Sequence, residues 1–195
     1  LIVPVYNEAP VIGDVIANAS HTFGNIVCVD DGSTDGSAEQ IRAAQQVAPG
    51  VRLVRHPVNL GQGAAIQTGI EYARARPGAR YFVTFDADGQ HRVDDVEAMI
   101  ERLRAEPVDI VIGTRFGGSQ TLSVPFLRRI VLRSIVFLSV RNRRLGLTDA
   151  HNGLRAFNRT VADDLDLLMN GMSHATEFVG LVDRRDRRDR VAVEI

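Results

Sequence analysis

Arg80-Tyr81-Phe82-Val83-Thr84-Phe85-Asp86-Ala87-Asp88-Gly89-Gln90-His91 runs from aromatic and β-branched residues straight into two carboxylates and a glycine turn. Such a run reads as a buried strand that stops in a loop. Two aspartates two residues apart at a strand end can point to the same side, and like charges that close repel unless a cation lies between them. Oxygen ligands of this kind suit Mg²⁺ or Mn²⁺, which keep open positions for water and substrate phosphates. The competing reading is a turn in which each aspartate caps a loop or helix amide.

Outward from this stretch the chain alternates short strands with longer helical patterns. Strands are expected at 1 to 5, 25 to 30, 51 to 55, 80 to 86 and 108 to 113, and helices near 9 to 20, 36 to 47, 62 to 75 and 93 to 105. Near-continuous apolar strands joined by helices predict an α/β fold with a mostly parallel central sheet and helices on both faces. Ligands then bind beyond the carboxyl ends of the strands, which places function in loops 6 to 8, 30 to 35 and 86 to 91. After residue 113 the alternation stops, and an amphipathic helix is expected from about 124 to 140. Its Arg128, Arg129 and Arg133 fall within one sector of about 140°, opposite Phe126, Leu127, Ile130, Ile135, Phe137 and Leu138. Residues 152 to 158 read as a short strand or turn, with helices near 160 to 169 and 174 to 183 and a solvated Asp-Arg-Arg repeat from Asp183 to Arg190. No linker divides the chain, so residues 1 to 195 are expected to form one domain; the start inside a strand, without methionine, predicts a fragment of a longer protein.

Composition narrows the function. All 23 basic residues are arginine, which disfavours P-loop NTPases, sugar nucleotidyltransferases and response-regulator receivers, each of which uses a lysine. The single cysteine, Cys28, allows no internal disulfide and no cysteine-built zinc site, and no apolar stretch is long enough for a membrane span or signal region. The chain therefore reads as cytosolic. Its charge is uneven: residues 1 to 114 hold 9 arginines against 15 acids, residues 115 to 160 hold 9 against Asp149 alone, and residues 161 to 195 hold 5 against 8. The cationic middle is either a solvated face or a surface for an anionic or membrane partner. Nucleic acid is disfavoured because the arginines are not interleaved with stacking aromatics and the net charge is −1.

Two further segments carry chemistry. Asp30-Asp31-Gly32-Ser33-Thr34-Asp35 follows the second strand; one acid can cap the next helix, and an exposed carboxylate can accept a base or ribose hydrogen bond. Asn59-Leu60-Gly61-Gln62-Gly63-Ala64-Ala65 opens a helix after a strand, as a phosphate-accepting turn or simply for close packing, and Ile66 breaks the dinucleotide-binding glycine pattern.

Together with Pro4-Val5-Tyr6-Asn7-Glu8 and Gly113-Thr114-Arg115, and in this order, these segments resemble the family 2 glycosyltransferases, of GT-A fold. Over roughly residues 1 to 158 the chain is most similar to their dolichyl-phosphate mannosyltransferase and polyprenyl-phosphate glycosyltransferase branch. The resemblance implies that Pro4, Tyr6, Glu8 and Asp31 line a nucleoside pocket and that Asp86, Asp88 and Gln90 hold a metal, with Ala87 between them; Asp30 is expected in the same nucleoside site from its own acidic segment. It also implies that Arg115 and Arg155 contact phosphate; Arg155 ends Asp149-Ala150-His151-Asn152-Gly153-Leu154-Arg155, which departs from the family's Ser-Gly-Phe-Arg at Asn152 and Leu154.

The expected activity is metal-dependent, inverting transfer of mannose or glucose from GDP-mannose or UDP-glucose to a lipid phosphate at the inner face of the membrane. Residues 1 to 114 would serve the donor and residues 115 to 195 the acceptor, whose phosphate Arg128, Arg129 and Arg133 would hold, and a membrane anchor or membrane-protein partner would lie outside this chain. Two alternatives stand beside it: transfer to a sugar or small-molecule hydroxyl with Glu177 as base, and a nucleotide-sugar-binding domain without turnover.

Overall fold

A computed structural model describes residues 1–113, 153–170, 177–178 and 191–193. Five strands alternating with four helices open it: β1 (Ile2–Val5), α1 (Ile12–Ser20), β2 (Ile26–Asp30), α2 (Ser37–Val47), β3 (Val51–Arg55), α3 (Gln62–Arg74), β4 (Tyr81–Thr84), α4 (Val93–Ala105) and β5 (Ile110–Ile112). β6 (Arg155–Asn158), α5 (Arg159–Asp164) and β7 (Val191–Val193) follow. Among the described residues the strands form a sheet of order β3-β2-β1-β4-β6-β5-β7. Pairing is parallel except at β6, which lies antiparallel between β4 and β5.

The strands are apolar on both faces because helices cover both. Ile2, Val27, Val29 and Phe82 pack with α3 and α5, whereas Val3, Val5, Cys28 and Val83 pack with α1, α2 and α4. Phe82 stacks on Phe157 across the β4–β6 pair with ring centroids 5.8 Å apart. Truncation of such a buried phenylalanine costs about 3–5 kcal/mol.

Topology positions the site. The chain winds from β1 through β2 to β3, then α3 carries it back to β4 on the other side of β1, so the order reverses between β1 and β4. These two strands share a single ladder pair, Ile2 with Thr84, closed by Phe85 N donating to Ile2 O at 2.9 Å. β1 continues to Val5 while β4 has ended, and a crevice opens between them. Ile2 bonds toward β4, whereas Val5 O accepts Asp31 N on the β2 side. Alternation along a parallel strand therefore aims residue 4 at the crevice, and proline there presents no N–H that would lack a strand partner.

The sequence-based elements hold with four differences. β4 ends at Thr84, so Asp86 sits in a loop two residues past the strand. α1 starts at Ile12, after Glu8 O has accepted Val11 N and Ile12 N. The helix expected over 160–169 stops at Asp164, because Leu165 and Leu167 are drawn into the core and Leu167 N donates to Gln67 Oε1 at 2.9 Å. β7, in the segment read as irregular, pairs with β5. The expected helix 124–140 lies outside the described residues, as does that over 174–183 apart from Glu177 and Phe178. Gly113 N, just after β5, donates to Leu154 O, just before β6, at 2.9 Å.

Candidate active site

The crevice widens into a cavity of about 370 Å³ lined by Pro4 in β1, Tyr6 and Glu8 after it, Asp31 after β2, Asn59, Gly61 and Gln62 leading into α3, Asp86 to Asp88 after β4, and Gly153 and Arg155 at the start of β6. This volume lies in the range of small-ligand sites, about 300–1,000 Å³.

One wall is two loops bound to each other. Asn7 adopts a left-handed φ of 55°, which asparagine tolerates, and its Oδ1 accepts Thr34 N at 3.0 Å. Asn7 N donates to Ser33 Oγ, Glu8 N to Ser37 Oγ, and Ala9 N to Asp35 Oδ2, all within 2.8–2.9 Å. The Ser37 hydroxyl, with the amides of Ala9 and Ser37, holds the Asp35 carboxyl below its ordinary pKa. Burial first, then the charges of Asp88 and Asp35, push the Glu8 carboxyl above its own.

Asp31 is 3% exposed and accepts Leu60 N at 2.9 Å and Gly61 N at 2.7 Å. His56 Nδ1 lies 2.7 Å from Asp31 Oδ1, and its Nε2 lies 3.0 Å from Thr68 Oγ1 on α3. The close approach of loop 58–59 demands a glycine at position 32: φ is 74° and a Cβ would meet Val58 C at 2.6 Å. Asp30, expected beside Asp31 in the pocket, points out of it; it is fully buried, accepts Ser33 N at 2.9 Å, and has Arg55 Nε 2.9 Å from Oδ2 in a contact without hydrogen-bond alignment. Successive residues at a strand end face opposite ways, so only one of the two acids lines the cavity.

The opposite wall carries Asp86 and Asp88. Asp86 accepts Gln62 Nε2 on Oδ1 at 3.1 Å, and His91 Nε2 lies 3.1 Å from Oδ2. Asp88 is exposed, with Gln90 N donating to its Oδ1 at 3.0 Å. Gln90, expected as a third metal ligand, is exposed and does not line the cavity; His91, the next residue, packs its ring edge-on against Phe85 and turns back to Asp86 instead. Gly153 crowds Asp86 so closely that a Cβ would lie 2.0 Å from Oδ2, and Thr84 Oγ1 holds it by donating to Gly153 O at 2.5 Å. Arg155 is 1% exposed, with its guanidinium over the Phe178 ring at 5.2 Å.

Two carboxylates on one cavity wall offer hard oxygen donors and fit Mg²⁺ or Mn²⁺. Among the described residues no group of three or more His, Cys, Asp and Glu side chains converges on one point, so ligand and water oxygens would fill the remaining coordination positions. Arg115, Arg128, Arg129 and Arg133 lie outside the described residues. Glu177, the alternative base, is not among the cavity-lining residues; its carboxylate accepts Leu168 N and Met169 N at 2.8–3.0 Å. His56, Gln62 and Gly153 were not singled out in the sequence, although Gln62 and Gly153 stand within quoted segments and His56 follows a strand at the same end of the sheet as Asp31.

Comparison with known proteins shows relatives of the whole described region. Over 184 residues the chain is 34% identical to an uncharacterized protein of Methanocaldococcus jannaschii, covering 92% of this chain and 73% of that one. It is 30% identical over 174 residues to the UDP-N-acetylglucosamine–dolichyl-phosphate N-acetylglucosaminyltransferase of Methanococcus voltae, covering 82% and 69%. Glucosyl-3-phosphoglycerate synthase from Mycobacterium tuberculosis, crystallised with Mn²⁺, UDP-glucose and phosphoglyceric acid, shares the fold at 21% identity with a TM-score of 0.76, covering 98% of this chain and 67% of that one. No helix among the described residues is long and apolar enough to cross a membrane. The family description for Glycosyl transferase family 2 matches residues 1–166, from β1 with its pocket-lining Pro4 to the end of α5, and the chain belongs to that family of glycosyltransferases.

Proposed function

We propose that the chain transfers a hexose from a nucleoside-diphosphate sugar to a polyprenyl or dolichyl-type lipid phosphate, with Mg²⁺ or Mn²⁺ held at Asp86 and Asp88. The observation that carries this reading is the single cavity that gathers Asp31, Asp86, Asp88 and the buried Arg155 where the strand order reverses. Bound there, the cation would act as a Lewis acid on the diphosphate, worth several kcal/mol.

The chain's own residues do the rest. Pro4, Tyr6, Glu8 and Asp31 form the nucleoside end, where Asp31 is a carboxylate fixed by three neighbours and ready to accept a base or ribose donor. Arg155 supplies a guanidinium fork to phosphate, about 1.5–3 kcal/mol for each charge-assisted bond, and Arg115 adds a second. Arg128, Arg129 and Arg133 receive the acceptor's phosphate at the membrane surface, where each contributes about 1 kcal/mol against anionic lipid.

A lipid phosphate oxygen is already ionised at neutral pH and attacks the anomeric carbon without a base. The bond from that carbon to the nucleoside diphosphate breaks, its electron pair leaves with the diphosphate, and the anomeric centre inverts. Transfer to a hydroxyl would need a base, and the engagement of Glu177 with two backbone amides weakens the candidate for that role. The dolichyl-phosphate acceptor in the name of the Methanococcus voltae relative supports the lipid reading.

The test is a radiolabel assay with GDP-mannose, UDP-glucose and UDP-N-acetylglucosamine, offered polyprenyl phosphate in vesicles or free sugars, with Mn²⁺ or with EDTA. Label should enter the organic phase with one donor, only with lipid phosphate and only with Mn²⁺. Label confined to a water-soluble saccharide would overturn the acceptor, and full transfer in EDTA would overturn the cation.

A further inference from the structure

Asp31 and Asp86 follow strands separated by β1, yet one turn touches both carboxylates. Leu60 N and Gly61 N donate to Asp31, and the next residue sends Gln62 Nε2 to Asp86 Oδ1 at 3.1 Å. The turn is held on its other sides as well. His56 bridges Asp31 to Thr68, one and a half turns into α3, and Gly63 N donates to Asn170 O at 2.8 Å. Gly61 has a φ of 98°, so the turn is fixed in a conformation that other residues rarely adopt. If Asp31 shifts toward a bound nucleoside, the origin of Gln62 moves with it, and the position of Gln62, with His91 on the other oxygen, governs how Asp86 is presented to a cation. Its amide donor is neutral, so it orients the carboxylate without cancelling the charge that attracts the metal, as an arginine or lysine there would.

We propose that the Leu60–Gln62 turn couples the nucleoside end of the cavity to the metal end, with Gln62 as the positioning residue. This rests on the proposed function, in which Asp31 meets the nucleoside and Asp86 the metal. The coupling is a property of the protein and adds to any direct contact between diphosphate and cation.

A nucleoside without phosphates separates the two contributions, because uridine or guanosine cannot reach the cation. Mn²⁺ affinity of the chain is measured by electron paramagnetic resonance of free Mn²⁺, with and without saturating uridine, and with guanosine in a parallel series. In the wild type the nucleoside that binds should tighten Mn²⁺ about fivefold, the lower end of typical coupling between sites. Gln62→Ala and Gln62→Met, the second keeping length and helix propensity, should still bind both partners but show a ratio near one. Thermal melting checks that each variant folds, and agreement between the two excludes a packing effect of the shortened side chain. An unchanged ratio in both variants, or a wild-type ratio of one with both partners bound, overturns the coupling and leaves the proposed function standing. A wild type that binds Mn²⁺ but neither nucleoside, or a nucleoside but no Mn²⁺, overturns the proposed function and the coupling with it.

Discussion

Asp31 and Asp86 face the same cavity from opposite walls, and they are held in different ways. Asp31 is nearly sealed from water and has two backbone amides and an imidazole around it. The Asp86 side chain is 25% exposed, with a side-chain amide and an imidazole beside it, and Asp88 next to it is open. A buried acceptor whose partners are main-chain amides belongs to the scaffold, since removing it strands those amides. A half-open acceptor beside movable side chains can exchange a partner for a cation. Alteration of the first should cost stability along with the nucleoside contact proposed for it, and alteration of the second should cost chemistry with stability kept.

The largest effect should come from Asp88→Ala. Sugar transfer should fall by about 10³-fold, the loss of several kcal/mol of metal assistance, while urea unfolding changes by no more than about 0.5 kcal/mol, as for an exposed position. Equal losses of transfer and stability would break the contrast.

Asp31→Asn tests the other wall. The carboxamide can accept from only one side, so an amide of Leu60 or Gly61 is left facing a donor, at a cost of about 1–3 kcal/mol in urea unfolding. A stability equal to wild type would move Asp31 out of the scaffold.

Gly153→Ala should act on the metal wall alone. Its methyl would fall 2.0 Å from Asp86 Oδ2, and the carboxylate must swing away. Mn²⁺ binding measured by calorimetry should weaken about tenfold, the lower end for disturbed outer-shell partners; unchanged binding would mean that Asp86 coordinates from another rotamer.

Glu8→Gln should be the smallest. The Glu8 carboxyl binds its proton more tightly folded than unfolded, through burial first and then Asp88 and Asp35. Its ionised form therefore opposes folding as pH rises from the unfolded value through the raised folded one. The glutamine variant should match wild type below that window and melt slightly higher above it, by no more than about 2 °C because water screens the charges. A lower melting temperature above the window would show Glu8 to be a favourable partner instead.

The parts of this molecule that were legible in the sequence are those whose cause is local. Ile26 to Asp30 and Arg80 to Asp86 announce buried strands by composition, and a strand that ends in acids announces the functional end of the sheet. The antiparallel insertion of β6 was not legible, because its partners at Phe82 and Val111 lie far away in the chain and its four residues fit a turn equally well. The stop at Asp164 depends on Gln67, about a hundred residues earlier, which takes the amide of Leu167. In the site, Asp31, Asp86 and Asp88 stand out as acids at strand ends, whereas the roles of His56 and Gly153 are set by what lies across the fold from them.

The pairing of Gly113 with Leu154 gives the sheet a hem. The residues that flank the stretch from 114 to 152 are joined at one stitch beside Asp86, in line with the β5–β6 register. The spacing of Gly113 and Gly153 is thus set by the sheet itself, and with it the place of Gly153 against Asp86.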